Sequence, residues 1–287
     1  MFEGSAALYL FTPNGVLVGE SALREMAEGW RLLLLFLSAG ALVLVAAVAA
    51  NERARQTLLC GAWEMVQISQ PLQPVAQPSA RTVEDFVADL SAEERAGWLG
   101  TPRYTDTGFR VEALPSALRR ELQAFHRGAT PAAEECGPRL RGRVLLSSLA
   151  GSALEDGLRQ HLAGSLEEWT GARDLRFENS YGPRTYARGA SLGAHGDRVH
   201  SHALSAIVFV HAAGLDAPWP LQFVPNRARG QDRVQDVFLD EQHDVLLYES
   251  TQPHGRVDAL RGDSFTAVFF HWQPAGWAAH VTALLGE

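Results

Sequence analysis

The sequence predicts an α+β protein: helices first, then a jelly-roll-like β half, all preceded by one N-terminal transmembrane helix. Three observations predict it. Residues 32–50 form one uncharged apolar run. The stretch from Ser152 to Trp169 carries leucines four apart. From Leu175 onward, short apolar runs alternate with turn residues, the pattern of an antiparallel sandwich or barrel. Helices followed by strands make an α+β domain.

The apolar run reads LLLLFLSAGALVLVAAVAA, between Arg31 and Asn51. It is long enough to cross a hydrocarbon core of roughly 30 Å as a helix and shows no polar stripe. A cleaved signal peptide is the rival reading, since the small residues Ala46 to Ala50 offer a cleavage site. Some thirty residues precede the run, which is long for a signal peptide and favours an uncleaved, single-pass anchor. Arg24 and Arg31 before it balance Arg53 and Arg55 after it, so charge does not orient the span. Five segments follow: 1–31 as an N-terminal segment, 32–50 as the anchor, 51–82 as a stalk rich in Pro, Gln and Ser, 83–150 as helical support, and 151–287 as the catalytic domain.

Within the support region, Ser91 and Glu94 have the spacing of a capping box. Pro115 opens a second helix, with Leu118, Leu122 and Phe125 on one face. Ser152 can cap the helix that holds Leu154, Leu158, Leu162 and Leu166. The strands expected after it lie in TYARGASLGAH, ALSAIVFVHA, PLQFVPNRARG, VQDVFLDEQHD, DVLLYES and SFTAVFFHW.

Composition excludes several functions. The net charge is −8, against a nucleic-acid-binding surface, which should be basic. The chain contains no lysine. Schiff-base and P-loop chemistry are therefore excluded, because arginine does not deprotonate to an amine nucleophile. Cys60 and Cys136 are far apart and form no C-x-x-C pair, so a thiolate zinc site is disfavoured; one disulfide and two thiols both remain open.

The chemistry centres on His195-Gly196-Asp197. On an extended segment, side chains two apart share a face, so His195 and Asp197 converge. His254, after the apolar strand around Val245 to Tyr248, is the natural third ligand. Two histidines and one carboxylate form the facial triad of non-haem iron(II) oxygenases, which leaves open coordination positions. The chain has ten histidines. His200 and His202 could compete, but no carboxylate shares their spacing; His211, His243, His271 and His280 read as surface or packing residues.

The ordered set Glu167-Glu168-Trp169, Tyr181-Gly182-Pro183-Arg184, Tyr186, His195-Gly196-Asp197-Arg198, Trp219-Pro220-Leu221, Leu247-Tyr248-Glu249-Ser250 and His254-Gly255-Arg256 resembles the prolyl 4-hydroxylase-like branch of the 2-oxoglutarate dioxygenases. The resemblance spans roughly residues 150–274. It implies a double-stranded β-helix, Fe(II) held by His195, Asp197 and His254, 2-oxoglutarate as cosubstrate, molecular oxygen, and L-ascorbate keeping iron reduced. It implies hydroxylation of a C–H bond, of prolyl residues in a peptide or protein substrate, and a place at the membrane of the secretory-pathway lumen. Tyr186 matches a family tyrosine near the cosubstrate. The family's basic residue nine or ten positions past the second histidine is replaced by Asp263 and Ser264, and Leu192 stands where a second tyrosine often occurs. Arg261 is the first candidate for the far carboxylate of 2-oxoglutarate and Arg256 the second, because arginine offers a bidentate fork. A catalytically silent β-helix module and a cupin-type metal enzyme that ignores 2-oxoglutarate are the competing readings.

Overall fold

The computed structural model describes residues 81–135, 137–226 and 233–286 with their side chains, and the backbone of four N-terminal strands. Those strands are β1 (Leu10–Thr12), β2 (Gly15–Leu17), β3 (Trp30–Leu37) and β4 (Leu42–Ala49). The transmembrane helix expected over 32–50 is corrected here: β3 and β4 pair antiparallel across that run, from Trp30↔Ala49 to Leu37↔Leu42. An uninterrupted apolar run does not by itself distinguish a buried helix from strands. Among the described residues, no helix is long and apolar enough to cross a membrane. Most of the stalk, like both cysteines, lies outside the described residues.

The rest of the described chain folds around two antiparallel sheets. In order it forms α1 (Val83–Phe86), α2 (Ala92–Gly100), β5 (Phe109–Glu112), α3 (Ser116–Gly128), β6 (Ala132–Ala133), β7 (Leu140–Arg141), β8 (Val144–Leu146) and α4 (Ala153–Thr170). Then come β9 (Arg176–Ala187), β10 (Ser191–His195), β11 (Leu204–Ala213), β12 (Leu221–Phe223), β13 (Gln235–Val237), β14 (Val245–Glu249), β15 (His254–Arg256), β16 (Ser264–Gln273) and α5 (Trp277–Leu285). One sheet has the order β5-β14-β11-β16-β9-β8-β6, the other β13-β12-β15-β10-β7. This is the jelly-roll arrangement expected. The stretch 83–150 does more than the helical support expected of it, since β5 to β8 complete both sheets; strands of two to four residues leave too little periodicity to read.

Helix α4 forms where its leucines predict. Ser152 accepts from the Glu155 amide, and Gly171 ends the helix at φ 72°, a left-handed conformation that suits glycine. Leu158, Leu162 and Leu166 are fully buried, each contributing roughly 2 kcal/mol of apolar burial. They pack with Leu122 of α3 on one face of the larger sheet, against Leu204, Ala206, Val208 and Val210 of β11. The alternate residues Ile207 and Phe209 face the space between the sheets with Tyr186, Trp219, Phe223, Tyr248 and Phe265. Both faces of β11 are thus covered over its middle, which is why Ala206 to Val210 reads as one continuous apolar run. A third cluster packs α1, α2 and the segment between them, through Val83, Phe86, Val87, Leu90 and Trp98, with Ala194 of β10 and Val224 just past β12. Here the capping box forms in full, Ser91 and Glu94 each bonding the other's backbone.

Candidate metal centre

Pairing of β10 with β15 places His195 directly opposite His254, and their ring centroids lie 4.4 Å apart. Asp197 follows on the segment leaving β10, where its amide donates to the Ser250 carbonyl at 2.9 Å. Asp197 Oδ1 is 3.9 Å from His195 Nε2 and 3.7 Å from His254 Nε2. One donor atom from each residue falls within 4.8 Å of the others, a spacing suited to shared ligation of one ion at about 2.0–2.2 Å per bond.

The remaining polar atoms of the three side chains are engaged. His195 Nδ1 lies 2.9 Å from the Gly193 carbonyl, and His254 Nδ1 lies 2.9 Å from the Gln252 carbonyl. A carbonyl only accepts, so each Nδ1 carries the proton and each Nε2 presents a lone pair. Asp197 Oδ2 accepts from the Tyr248 hydroxyl at 2.7 Å and from Ser205 at 3.3 Å, leaving Oδ1 turned to the histidines. Burial, and then the neighbouring His254, push the His195 pKa down to about 4. Burial alone would raise the Asp197 carboxyl, but the imidazoles of His254, His271, His195 and His202 hold it well below the usual carboxylate range. A neutral imidazole at His195, an ionised carboxylate and a second lone-pair donor at His254 fit a divalent cation. Among the described residues the set has three protein donors, which matches the open facial triad of iron(II) rather than a closed structural zinc site.

The residues expected to hold 2-oxoglutarate are separated by the fold. Arg256 stands two residues from His254 on β15 and is buried between the sheets. Its guanidinium lies 4.2 Å from the Phe265 ring centroid and 4.6 Å from that of Trp219, and Nη1 donates to the Trp219 carbonyl. Nη2 is buried without a hydrogen-bond partner among the described residues. Burial pulls the Arg256 pKa down to about 10, partly opposed by Tyr186. Tyr186 is itself buried, packs edge-on against Trp219 at 5.1 Å and receives a bond from Arg184 at 3.2 Å. The first-choice Arg261 is not brought there. It lies partly exposed in the turn before β16, beside the exposed Asp216. β16 begins only at Ser264, so Arg261 precedes the strand and no strand face carries it inward.

Among the other histidines, His200 is exposed and pairs with Glu93 at 3.7 Å. His271, read from the sequence as a packing or surface residue, is buried with Nδ1 2.8 Å from Ser205 and 3.8 Å from Asp197 Oδ2. His202 stacks on it at 4.0 Å. Tyr248, Ser205 and His271 are the neighbours of Asp197 that sequence reasoning missed. Their signal was strand alternation: Ser205 pairs with both Tyr248 and His271, which puts all three on one sheet face. Trp219, Phe223 and Trp272 belong to the packed interior. A cavity of about 250 Å³ adjoins Asp197, lined also by Ser91, Glu93, Glu94, Arg139 and Gly196.

No family model matches the chain, and no curated protein matches it. Solved structures do. The chain is structurally similar to 2-oxoglutarate and iron(II) oxygenases. HygX from Streptomyces hygroscopicus, with nickel and 2-oxoglutarate bound, is 16% identical at a TM-score of 0.46, over 59% of this chain and 84% of HygX. A prolyl hydroxylase from Trichoplax adhaerens, in complex with a hypoxia-inducible-factor peptide fragment, is 14% identical at 0.44, over 65% and 93%. A Pseudomonas putida prolyl 4-hydroxylase is 17% identical at 0.40, over 57% and 92%. The chemistry of the present site follows from its own donor atoms.

Proposed function

We propose that this chain is a 2-oxoglutarate- and iron(II)-dependent dioxygenase that hydroxylates a C–H bond, with prolyl residues of a peptide or protein as substrate. The observation that carries this reading is the convergence of His195 Nε2, His254 Nε2 and Asp197 Oδ1, with their other polar atoms tied back to the protein. Iron(II), when bound, supplies dioxygen activation coupled to loss of CO2 from 2-oxoglutarate, with L-ascorbate as the reductant that maintains it. His195, Asp197 and His254 would hold the metal on one side only. Arg256 supplies a buried cation on the same strand as His254, and its open Nη2 suits the far carboxylate of the keto acid. Tyr186, Trp219 and Phe265 pack around that position, and the dry setting would strengthen an ion pair formed there. The prolyl substrate rests on the ordered motifs of the sequence.

The test uses the full chain stripped of metal with a chelator. Fe(II), 2-oxoglutarate and ascorbate are added, with and without a proline-rich peptide. Succinate is measured, and hydroxyproline in the peptide. Succinate with hydroxyproline supports the whole reading. Succinate alone refutes the prolyl substrate but not the enzyme class. Metal binding without consumption of 2-oxoglutarate points to a cupin-type enzyme, and absence of metal binding to a silent module.

A further inference from the structure

Asp197 is the one ligand of the triad with two equivalent donor atoms, and the structure treats those atoms differently. Oδ1 faces the two imidazoles; Oδ2 faces away, into a set of buried donors. The Tyr248 hydroxyl reaches Oδ2 at 2.7 Å, the range of a charge-assisted O–H···O⁻ bond. Tyr248 is itself 1% exposed. Its ring packs edge-on against His254 at 4.9 Å and against Phe223 at 6.1 Å, so its hydroxyl is aimed by the interior on which the second histidine also rests.

Ser205 is the second donor. Its oxygen lies 3.3 Å from Asp197 Oδ2, 2.6 Å from Ser250 Oγ and 2.8 Å from His271 Nδ1. A hydroxyl donates once and accepts twice. If His271 Nδ1–H and the Ser250 hydroxyl donate to Ser205, its own proton is left for Asp197, and all three contacts are satisfied. Among the described residues, both hydroxyl contacts of Asp197 are to Oδ2, and Oδ1 faces only the two imidazoles.

We infer that Tyr248, assisted by Ser205, is a positioning residue that confines Asp197 to ligation through Oδ1 alone, keeping the coordination positions opposite the triad free for cosubstrate and oxygen. The inference rests on the proposed metal-site reading. Without the Tyr248 donor, Oδ2 is free to swing onto the metal, and a bidentate Asp197 would take one of the positions the reaction needs.

The test is Tyr248→Phe, which keeps the ring against His254 and Phe223 and removes only the hydroxyl. The metal-free full chain is titrated with Co(II), and the visible absorption of the bound ion is compared between wild type and variant. The variant is expected to bind Co(II) with changed band positions or intensities, since a coordination position changes hands. With Fe(II), kcat is expected to fall by about 10- to 100-fold, the usual consequence of losing an outer partner of a ligand, while KM for 2-oxoglutarate changes less. Ser205→Ala should produce the same spectral change in smaller degree. A melting temperature for Tyr248→Phe within a few degrees of wild type would show that folding is not the cause. An unchanged Co(II) spectrum together with unchanged kcat would overturn the inference. Failure of the wild-type chain to bind Co(II) would overturn the metal-site reading instead, so the two failures are distinguishable.

Discussion

Replacing Arg256 by methionine tests the cosubstrate pocket most directly. Methionine roughly matches the length of the arginine stem and can lie between the Trp219 and Phe265 rings that now hold the guanidinium. Nη1 is already engaged with the Trp219 carbonyl, so Nη2 is the open donor. One hydrogen bond between charged groups is worth about 1.5–3 kcal/mol, which at about 1.4 kcal/mol per tenfold is a rise of roughly 10- to 150-fold in KM for 2-oxoglutarate. Stability without the keto acid should move little. The variant removes a buried cation that lacks a carboxylate partner, which helps, and leaves the Trp219 carbonyl without a donor, which costs about 1–3 kcal/mol. Ligand-induced stabilisation should change far more: a saturating ligand at 100 times its Kd adds about 2.7 kcal/mol to wild type, and most of that disappears when Kd rises 100-fold. The assay is succinate formation against 2-oxoglutarate concentration, with thermal melting in the presence and absence of the keto acid and Mn(II). An unchanged KM in Arg256→Met, or a large rise in Arg261→Ala instead, would refute the assignment of Arg256.

Four further outcomes are expected. Asp197→Ala and His254→Ala should each lower Fe(II)-dependent turnover by more than about 100-fold, beyond the loss typical of an outer partner, and calorimetric titration with Fe(II) or Co(II) should show weakened binding. Leu162→Ala, at a fully buried position of α4, should cost about 2–5 kcal/mol in urea unfolding, and a loss below 1 kcal/mol would contradict the packing described. In metal-free protein, His195 at about 4 and His271 at about 3 are depressed by burial below the unfolded value near 6.5. The unfolded chain therefore binds more protons between those values, so unfolding free energy should fall as pH drops from about 6.5 toward 4, measured by denaturant titration at each pH; a flat profile would contradict neutral buried imidazoles. Gly255→Ala would bring a methyl within 3.0 Å of the Gly193 and Leu192 carbonyl oxygens. That strains the β10–β15 spacing at a cost of about 1–3 kcal/mol and should weaken metal binding more than a similar loss of stability at Leu162 does.

Much of the outer architecture was legible because it depends on local signals. Ser152 with four leucines marked α4, and Ser91 with Glu94 marked the start of α2. The His195 and Asp197 pair could be read from their spacing, although β10 ends at His195 and Asp197 lies just beyond it, and His254 could be read from its place after a strong strand. What could not be read depended on pairing across the sheets. Arg261 and Arg256 are equally good cations in a one-dimensional string. The choice between them turns on β15 being three residues long and β16 starting at Ser264, which leaves Arg261 in a turn. His271 looked like packing because its neighbours Ser205 and Asp197 are 66 and 74 positions away in the chain. The apolar run at 32–50 failed for a different reason: hydrophobicity alone states that a segment avoids water, not which backbone it adopts.

The site also shows why this chemistry sits on strands. His195 and His254 are cross-strand partners, and Leu192 with Arg256 is the next pair along, with an irregularity between them. A slip of one residue between β10 and β15 would turn one histidine to the opposite face, toward the packing around α1 and α2, and would carry Arg256 out of the aromatic interior at the same step. The two candidate histidine ligands and the cation proposed for the cosubstrate thus share one register. On the other side of β15, β12 pairs Phe223 with His254 and Gln222 with Gly255, with Leu221 and Phe223 in the core between the sheets while Gln222 bonds Asp258. Strand pairing thus aligns the candidate histidine ligands, and the glycine between His254 and Arg256 lets β15 run so close to β10 that a side-chain carbon there would lie 3.0 Å from the β10 backbone.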